Sequence, residues 1–104
     1  MADPVFRVDL RPAEGGTNVA LVGELDVSTA PELRQHADRI VDADGNVWID
    51  CTDLTFADSS GLDAMLRLAQ ELRKQHRRVV VSNARPMVRR AMEVLQLTEL
   101  VELQ

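Results

Sequence analysis

At 104 residues with a net charge of −5, the chain has the length of one domain and the wrong sign for a binder of phosphate backbones. Hydrophobic residues make up 45% and charged residues 28%, the balance of a soluble globular chain. Only 3% are aromatic, so the core must be built from Leu, Val, Ile, Ala and Met, and the scarcity of aromatic rings argues against a base-stacking surface.

No apolar run approaches the ~20 residues of a membrane helix. Met1-Ala2-Asp3-Pro4 lacks the basic-then-apolar pattern of a signal peptide. A single cysteine, Cys51, has no partner for an internal disulfide; it sits in an apolar strand pattern and reads as a buried packing residue. The expectation is a cytoplasmic protein, with residues 1–104 forming one domain. Without sustained heptads, a monomer is expected when free.

Residues 5–10 alternate, with Phe6, Val8 and Leu10 on one side and Arg7 and Asp9 on the other, the pattern of a half-buried strand. The breakers at 12–16 predict a turn, and residues 17–25 a second strand, antiparallel to the first. Its two faces, Val19, Leu21 and Leu25 against Ala20 and Val22, are both apolar, which predicts cover on both sides.

Thr29 and Glu32 fit a capping box, Pro31 suits a first helical turn, and Ala30, Leu33, Ala37, Ile40 and Val41 form one helical stripe. Asp44-Gly45-Asn46 ends that helix. Residues 46–51 make a third strand, joined to the second by a crossover and so parallel to it.

A second helix follows Ser60 and runs to about Gln75, carried by Leu62, Met65, Leu66, Ala69 and Leu72. Val79-Val80-Val81 is a β-branched strand. A third helix near Pro86 draws its apolar face from Met87, Val88, Ala91, Met92, Val94 and Leu95. Residues 100–103 form a short last strand. The order β-β-α-β-α-β-α, with a terminal β, predicts an α/β fold: a mixed, mostly parallel sheet of four to five strands packed with helices.

The stretch with most chemical content is Asp58-Ser59-Ser60-Gly61, where a strand and its loop hand over to a helix. The first N–H groups of a helix lack partners. A serine oxygen can accept from them, and the helix dipole favours an anion there. A serine at this place is a cap, or an acceptor for phosphate.

Other chemistry is missing. No Cys/His set has metal spacing. Gly15-Gly16 fits neither a dinucleotide loop nor a P-loop. Ala57 stands where a nucleophile elbow needs glycine. His36 and His76 lie on a helix face and at a helix end. The chain does not read as an enzyme, and it calls for no cofactor.

Gly23-Glu24-Leu25-Asp26 followed by Thr29-Ala30-Pro31-Glu32-Leu33 resembles the first signature of the STAS family, the anti-sigma factor antagonists. Residues 50–62, ending Phe56-Ala57-Asp58-Ser59-Ser60-Gly61-Leu62, resemble the second. Residues 79–84 and 88–97 look like the usual continuation. The resemblance implies the STAS fold and a regulator of transcription. Its unphosphorylated form binds an anti-sigma factor that is also a serine kinase, and the sigma factor is released.

Carried over, the phosphorylated residue is Ser59, and a serine phosphatase resets it. ATP and magnesium belong to the kinase. The partner-binding rim is then Asp26, Asp58, Ser59, Ser60 and Gly61, with Asp58 orienting the loop and Ser60 capping the helix. Asp63 departs from the family's small residue and would oppose a phosphate on Ser59. The same fold also serves as a phosphorylation-independent adaptor in lipid-transport and transporter assemblies, and as a ligand-sensing module.

Overall fold

The structure, a computed structural model, describes residues 6–104. Val5, the first residue of the predicted opening strand, lies outside the described residues. The strand itself, β1 (Phe6–Ala13), forms an antiparallel hairpin with β2 (Gly16–Leu25). The turn is tighter than the breakers suggested. Only Glu14 and Gly15 lie between the strands, and Pro12 pairs with Thr17 inside the ladder. β1 is a sheet edge, where proline's missing N–H is tolerated.

Helix α1 (Ala30–Asp42) leads to β3 (Asn46–Asp50), which is parallel to the first half of β2. A short strand, β4 (Leu54–Ala57), then pairs with β2 at Gly23, Glu24 and Leu25. Four residues, separated from the end of β3 only by Cys51, Thr52 and Asp53, are too short to show a period, so this strand reads as loop in the sequence. The ten residues of β2 are therefore shared, its first half with β3 and its second with β4.

Helix α2 (Ser59–Lys74) is followed by β5 (Val79–Ser82), parallel to β3, and by α3 (Pro86–Val94). A 3-10 turn, Leu97–Glu99, precedes the two-residue strand β6 (Glu102–Leu103), parallel to β5. Among the described residues the sheet thus has six strands in the order β1-β2-β3-β5-β6, with β4 on the far end of β2, against the four to five expected.

After the hairpin, β3, β5 and β6 are added outward from β2 in chain order, with β4 stepping back to β2 before α2. Right-handed crossovers then place successive helices on the same face. Val19, Leu21 and Leu25 of β2, Val47 and Ile49 of β3, and Val79 and Val81 of β5 are buried beneath Leu33 and Ile40 of α1 and Leu62, Met65 and Leu72 of α2. The other face, with Arg7, Asp9, Asn18, Ala20, Val22 and Trp48, borders an open groove. The predicted two-sided cover of β2 is not found; Ala20 and Val22 are only half-buried. Cys51 is fully buried, and burial, helped by the charge of Asp50, pushes its thiol up to about 12. It stays a neutral packing residue.

The predicted apolar face of α3 is narrower than its composition. Val88 and Met92 are buried and Ala91 and Leu95 half-buried, but Met87 is 57% and Val94 77% exposed. With nine residues, α3 rests on the sheet along one arc only, and these two lie at its margin.

Arg77 joins the end of α1 to the start of β5. Its guanidinium donates to the carbonyls of Ile40 (3.0 Å), Val41 (2.8 Å) and Gly45 (2.6 Å). The first two are among the acceptors that a helix C-terminus leaves without partners, the third belongs to the loop after it, and a cation there complements the dipole. Arg77→Ala is expected to lower stability by about 1–3 kcal/mol, the scale of hydrogen bonds to a charged group. The expected signature is a lower denaturation midpoint with an unchanged slope.

Candidate functional site

Strands β2, β3, β4 and β5 run parallel, so their carboxyl ends share one rim, the usual place for function in a parallel sheet. Two chain segments meet there, the β2–α1 loop and the β4–α2 junction.

In the first, the Asp26 carboxylate accepts from the backbone N–H groups of Ser28 (2.9 Å) and Thr29 (3.1 Å) and from the Ser28 hydroxyl (2.6 Å). An aspartate that folds the next residues onto itself is an Asx-turn. The Thr29 hydroxyl faces back, accepting from Asp26 N–H at 2.9 Å and donating to the Glu24 carbonyl at 2.8 Å. The predicted capping box is therefore absent. Thr29 stands at the N-cap of α1, but its side chain does not cap, because it is engaged in the loop. Glu32 lies instead beside His36, with Oε1 3.8 Å from Nδ1.

The Ser28 hydroxyl bond, followed by the backbone N–H bonds of Ser28 and Thr29, holds the Asp26 carboxyl below its ordinary value, against the opposing effect of burial. Asp26 is thus a fixed anion at neutral pH.

In the second segment, Asp58 takes an extended conformation and accepts from Gly61 N–H at 2.9 Å. Asp58, not Ser60, is the cap of α2. Ser59 and Ser60 occupy its first two helical positions, and both are exposed. The correction has a simple physical cause. A capping side chain reaches forward two or three residues to a free N–H, and Gly61 is three residues from Asp58. With the cap supplied by the aspartate, the Ser59 hydroxyl is not needed to hold the helix.

The two segments touch through Gly61. This residue is buried, and a Cβ built on it falls 2.2 Å from the Leu25 carbonyl oxygen and 2.8 Å from Asp26 N. Only glycine lets the start of α2 lie directly on the last peptide of β2. The Asp58 N–H also donates to the Leu25 carbonyl, at 3.2 Å. The five residues singled out in the sequence, Asp26, Asp58, Ser59, Ser60 and Gly61, therefore meet on one rim. Gly61 contributes as a spacer beneath the surface rather than as a contact on it.

Sequence reading passed over Ser28 and Thr29 as the partners of Asp26. Their spacing, hydroxyls two and three residues after an aspartate, was the available signal. Asp63 lies one helical turn beyond Ser59, and its carboxylate pairs with Arg67 at 2.8 Å. Its charge is shared with that arginine rather than left facing the serine. Among the described residues no group of three or more His, Cys, Asp or Glu could hold a metal ion, and no helix is long and apolar enough to cross a membrane.

With this geometry in place, the likenesses to known proteins have a structural meaning. The sequence model of the STAS domain family matches residues 8–104, and the chain belongs to that family. The anti-sigma-B factor antagonist of Bacillus subtilis is 24% identical over 98 residues, covering 94% of this chain and 90% of that protein. An anti-sigma factor antagonist from Mycobacterium paratuberculosis superposes with a TM-score of 0.84 at 26% identity, covering 99% of this chain and 89% of that one. The Bacillus protein SpoIIAA, solved in unphosphorylated and phosphorylated forms, has a TM-score of 0.72 in each, at 23% and 22% identity. It covers 95% of this chain both times, and 86% and 90% of its own.

Two outcomes are expected from this geometry. Asp58→Ala should lower stability by about 0.5–2 kcal/mol, the value of an N-cap, while Ser59→Ala and Ser60→Ala should leave the denaturation midpoint nearly unchanged. Titration of the Asp26 carboxyl by carbon NMR should give a midpoint below 3.8. A depressed folded-state value stabilises above the unfolded one and is lost as pH falls through it. Asp26→Asn should therefore flatten the acid limb of stability below that value and leave the neutral side sloped as before.

Proposed function

We propose that this chain is an anti-sigma factor antagonist switched at Ser59. Unphosphorylated, it binds an anti-sigma factor that is also a serine kinase, and that partner lets go of its sigma factor. The kinase, with its own ATP and magnesium, transfers a phosphoryl group to the Ser59 hydroxyl. A serine phosphatase restores the free form. The chain acts as a regulator, not as an enzyme, and it works in the cytoplasm, where sigma factors are.

The observation that carries this reading is the exposed hydroxyl of Ser59 at the first position of α2, relieved of capping by Asp58. Three physical points support it. A kinase can reach the hydroxyl without unfolding the helix. A phosphate there sits at the positive end of the dipole, so the free protein tolerates it. It also brings about −1.5 to −2 charge to a rim that already holds Asp26 and Asp58. Against a closely packed partner that charge is desolvated beside fixed carboxylates, which costs about 3 kcal/mol and weakens binding more than a hundredfold.

The likeness to proteins named as antagonists, including one solved in both phosphorylated and unphosphorylated forms, supports the same reading. The test is binding to the purified anti-sigma factor kinase of the source organism. Wild type and Ser59→Ala should bind alike, and Ser59→Asp should bind at least tenfold more weakly. Phosphoryl transfer from labelled ATP should be lost in Ser59→Ala and retained in Ser60→Ala. Label on Ser60→Ala reduced to background, or equal binding of all three proteins, would discard Ser59 as the switch.

A further inference from the structure

Three large hydrophobic side chains are strongly exposed among the described residues: Val27 (72%), Met87 (57%) and Val94 (77%). Val27 follows Asp26 in the β2–α1 loop. Met87 and Val94 belong to α3, which starts from the carboxyl end of β5 at the same rim as Ser59 and packs against β4 and α2. Met87, Ala91 and Val94 recur at spacings of four and three, so they form one stripe along the helix. Arg90 lies beside that stripe.

Charge marks the same helix. From Arg85 to Leu95 the chain has three arginines and one glutamate, in a protein of net charge −5. Arg89 stands 3.8 Å from Glu93. Among the described residues neither Arg85 nor Arg90 forms an ion pair. Arg67 and Lys74 of α2 are paired with Asp63 and Glu71. Among the described residues Arg34 and Arg39 of α1 also stand without an ion pair, but they share that helix with Glu32, Asp38 and Asp42. Counted with its N-cap residue Arg85, α3 is therefore the helix with the largest excess of positive charge.

Isolated exposed hydrophobics need no explanation. A stripe of them rimmed by unpaired charge of one sign, contiguous with a functional rim, marks an interaction surface. We propose that α3, through Met87, Val94 and Arg90, is a second half of the partner interface, docking an acidic, apolar-floored recess of the same protein that meets Ser59. It rests on the switch reading above and adds what that reading lacks, an anchor. The Ser59 rim is polar and acidic, suited to sensing phosphate. Binding strength comes from desolvated apolar and arginine side chains, which α3 supplies. The arginine patch steers an acidic partner to a rim that would otherwise repel it.

The test uses the purified kinase without ATP, and compares Met87→Ser, Val94→Ser and Arg90→Glu with wild type and Ser59→Asp. All three α3 positions are exposed, so thermal midpoints should stay within the scatter of wild type. Each α3 variant should raise Kd about tenfold, and Arg90→Glu should also flatten its salt dependence.

Wild-type affinity in the three α3 variants, with Ser59→Asp still impaired, would overturn the inference and leave the switch reading intact. Impaired α3 variants with an unaffected Ser59→Asp would keep the docking surface and remove the switch. If sedimentation shows the wild type self-associating and the α3 variants monomeric, the occupant is a second copy and the proposal fails. It fails equally if Arg90→Glu abolishes binding to a 20-base-pair DNA duplex that the wild type retains.

Discussion

The approach of α2 to the end of β2 is the constraint on which the rest of this molecule depends. Gly61 carries no side chain, and the position its Cβ would take is 2.2 Å from the Leu25 carbonyl. Any other residue there must push the helix away from the sheet, and overpacking of this kind costs about 1–3 kcal/mol. The close approach has two results. It lets Leu62 and Met65 reach the core in the first turns of α2, and both are fully buried. It also sets the start of that helix against the loop that begins at Asp26. Stability and the geometry of the rim are therefore decided by the same contact.

Around that contact the polar roles are divided. Asp26 is spent on its own loop, where it holds Ser28 and Thr29. Asp58 is spent on the helix, where it takes the N–H of Gly61. Ser59 and Ser60 are left exposed, with no structural task at the head of a helix that favours anions. Two carboxylates held fixed by hydrogen bonds cannot turn away from a charge added to the same rim. Under the proposed switch, phosphate on Ser59 changes the charge of this rim without a change of fold, the economy expected of a switch that acts through an interface.

The helices lie on one face of the sheet and leave the other open, and this shapes how partners can approach. With α1, α2 and α3 covering one side, the surfaces adjoining the rim are helix starts and loops rather than strands. The start of α3 lies on that rim, and the helix carries Met87 and Val94 outward from it. These residues are apolar enough in sequence to pass for core. A short helix seated along a single arc exposes what a longer, more embraced helix would bury.

Much of this was legible in the sequence. The hairpin, the parallel order of the following strands, the stripe of α1 and the head of α2 all follow from periodicity and breakers, because each depends on residues near one another in the chain. The Asp58-Ser59-Ser60-Gly61 string identified the candidate site for the same reason. What lay beyond it were pairings between distant segments: the strand β4, recognised only by its ladder to Gly23, Glu24 and Leu25, the Arg77 bonds across to α1, and the open face of β2. Local chemistry also left ties that only three dimensions resolved. The serines read as the cap of α2, a place that Asp58 takes, and Thr29 fitted a box that it does not close, since Asp26 N–H and the Glu24 carbonyl claimed its hydroxyl first. The sequence by itself determined the three helices, the strands other than β4, their order and the string that bears Ser59, since short-range sterics and hydrophobic period decide those. Tertiary structure alone decided which side chain caps, which is buried and which is free to react, because a hydrogen-bonding group takes the partner that folding brings within reach.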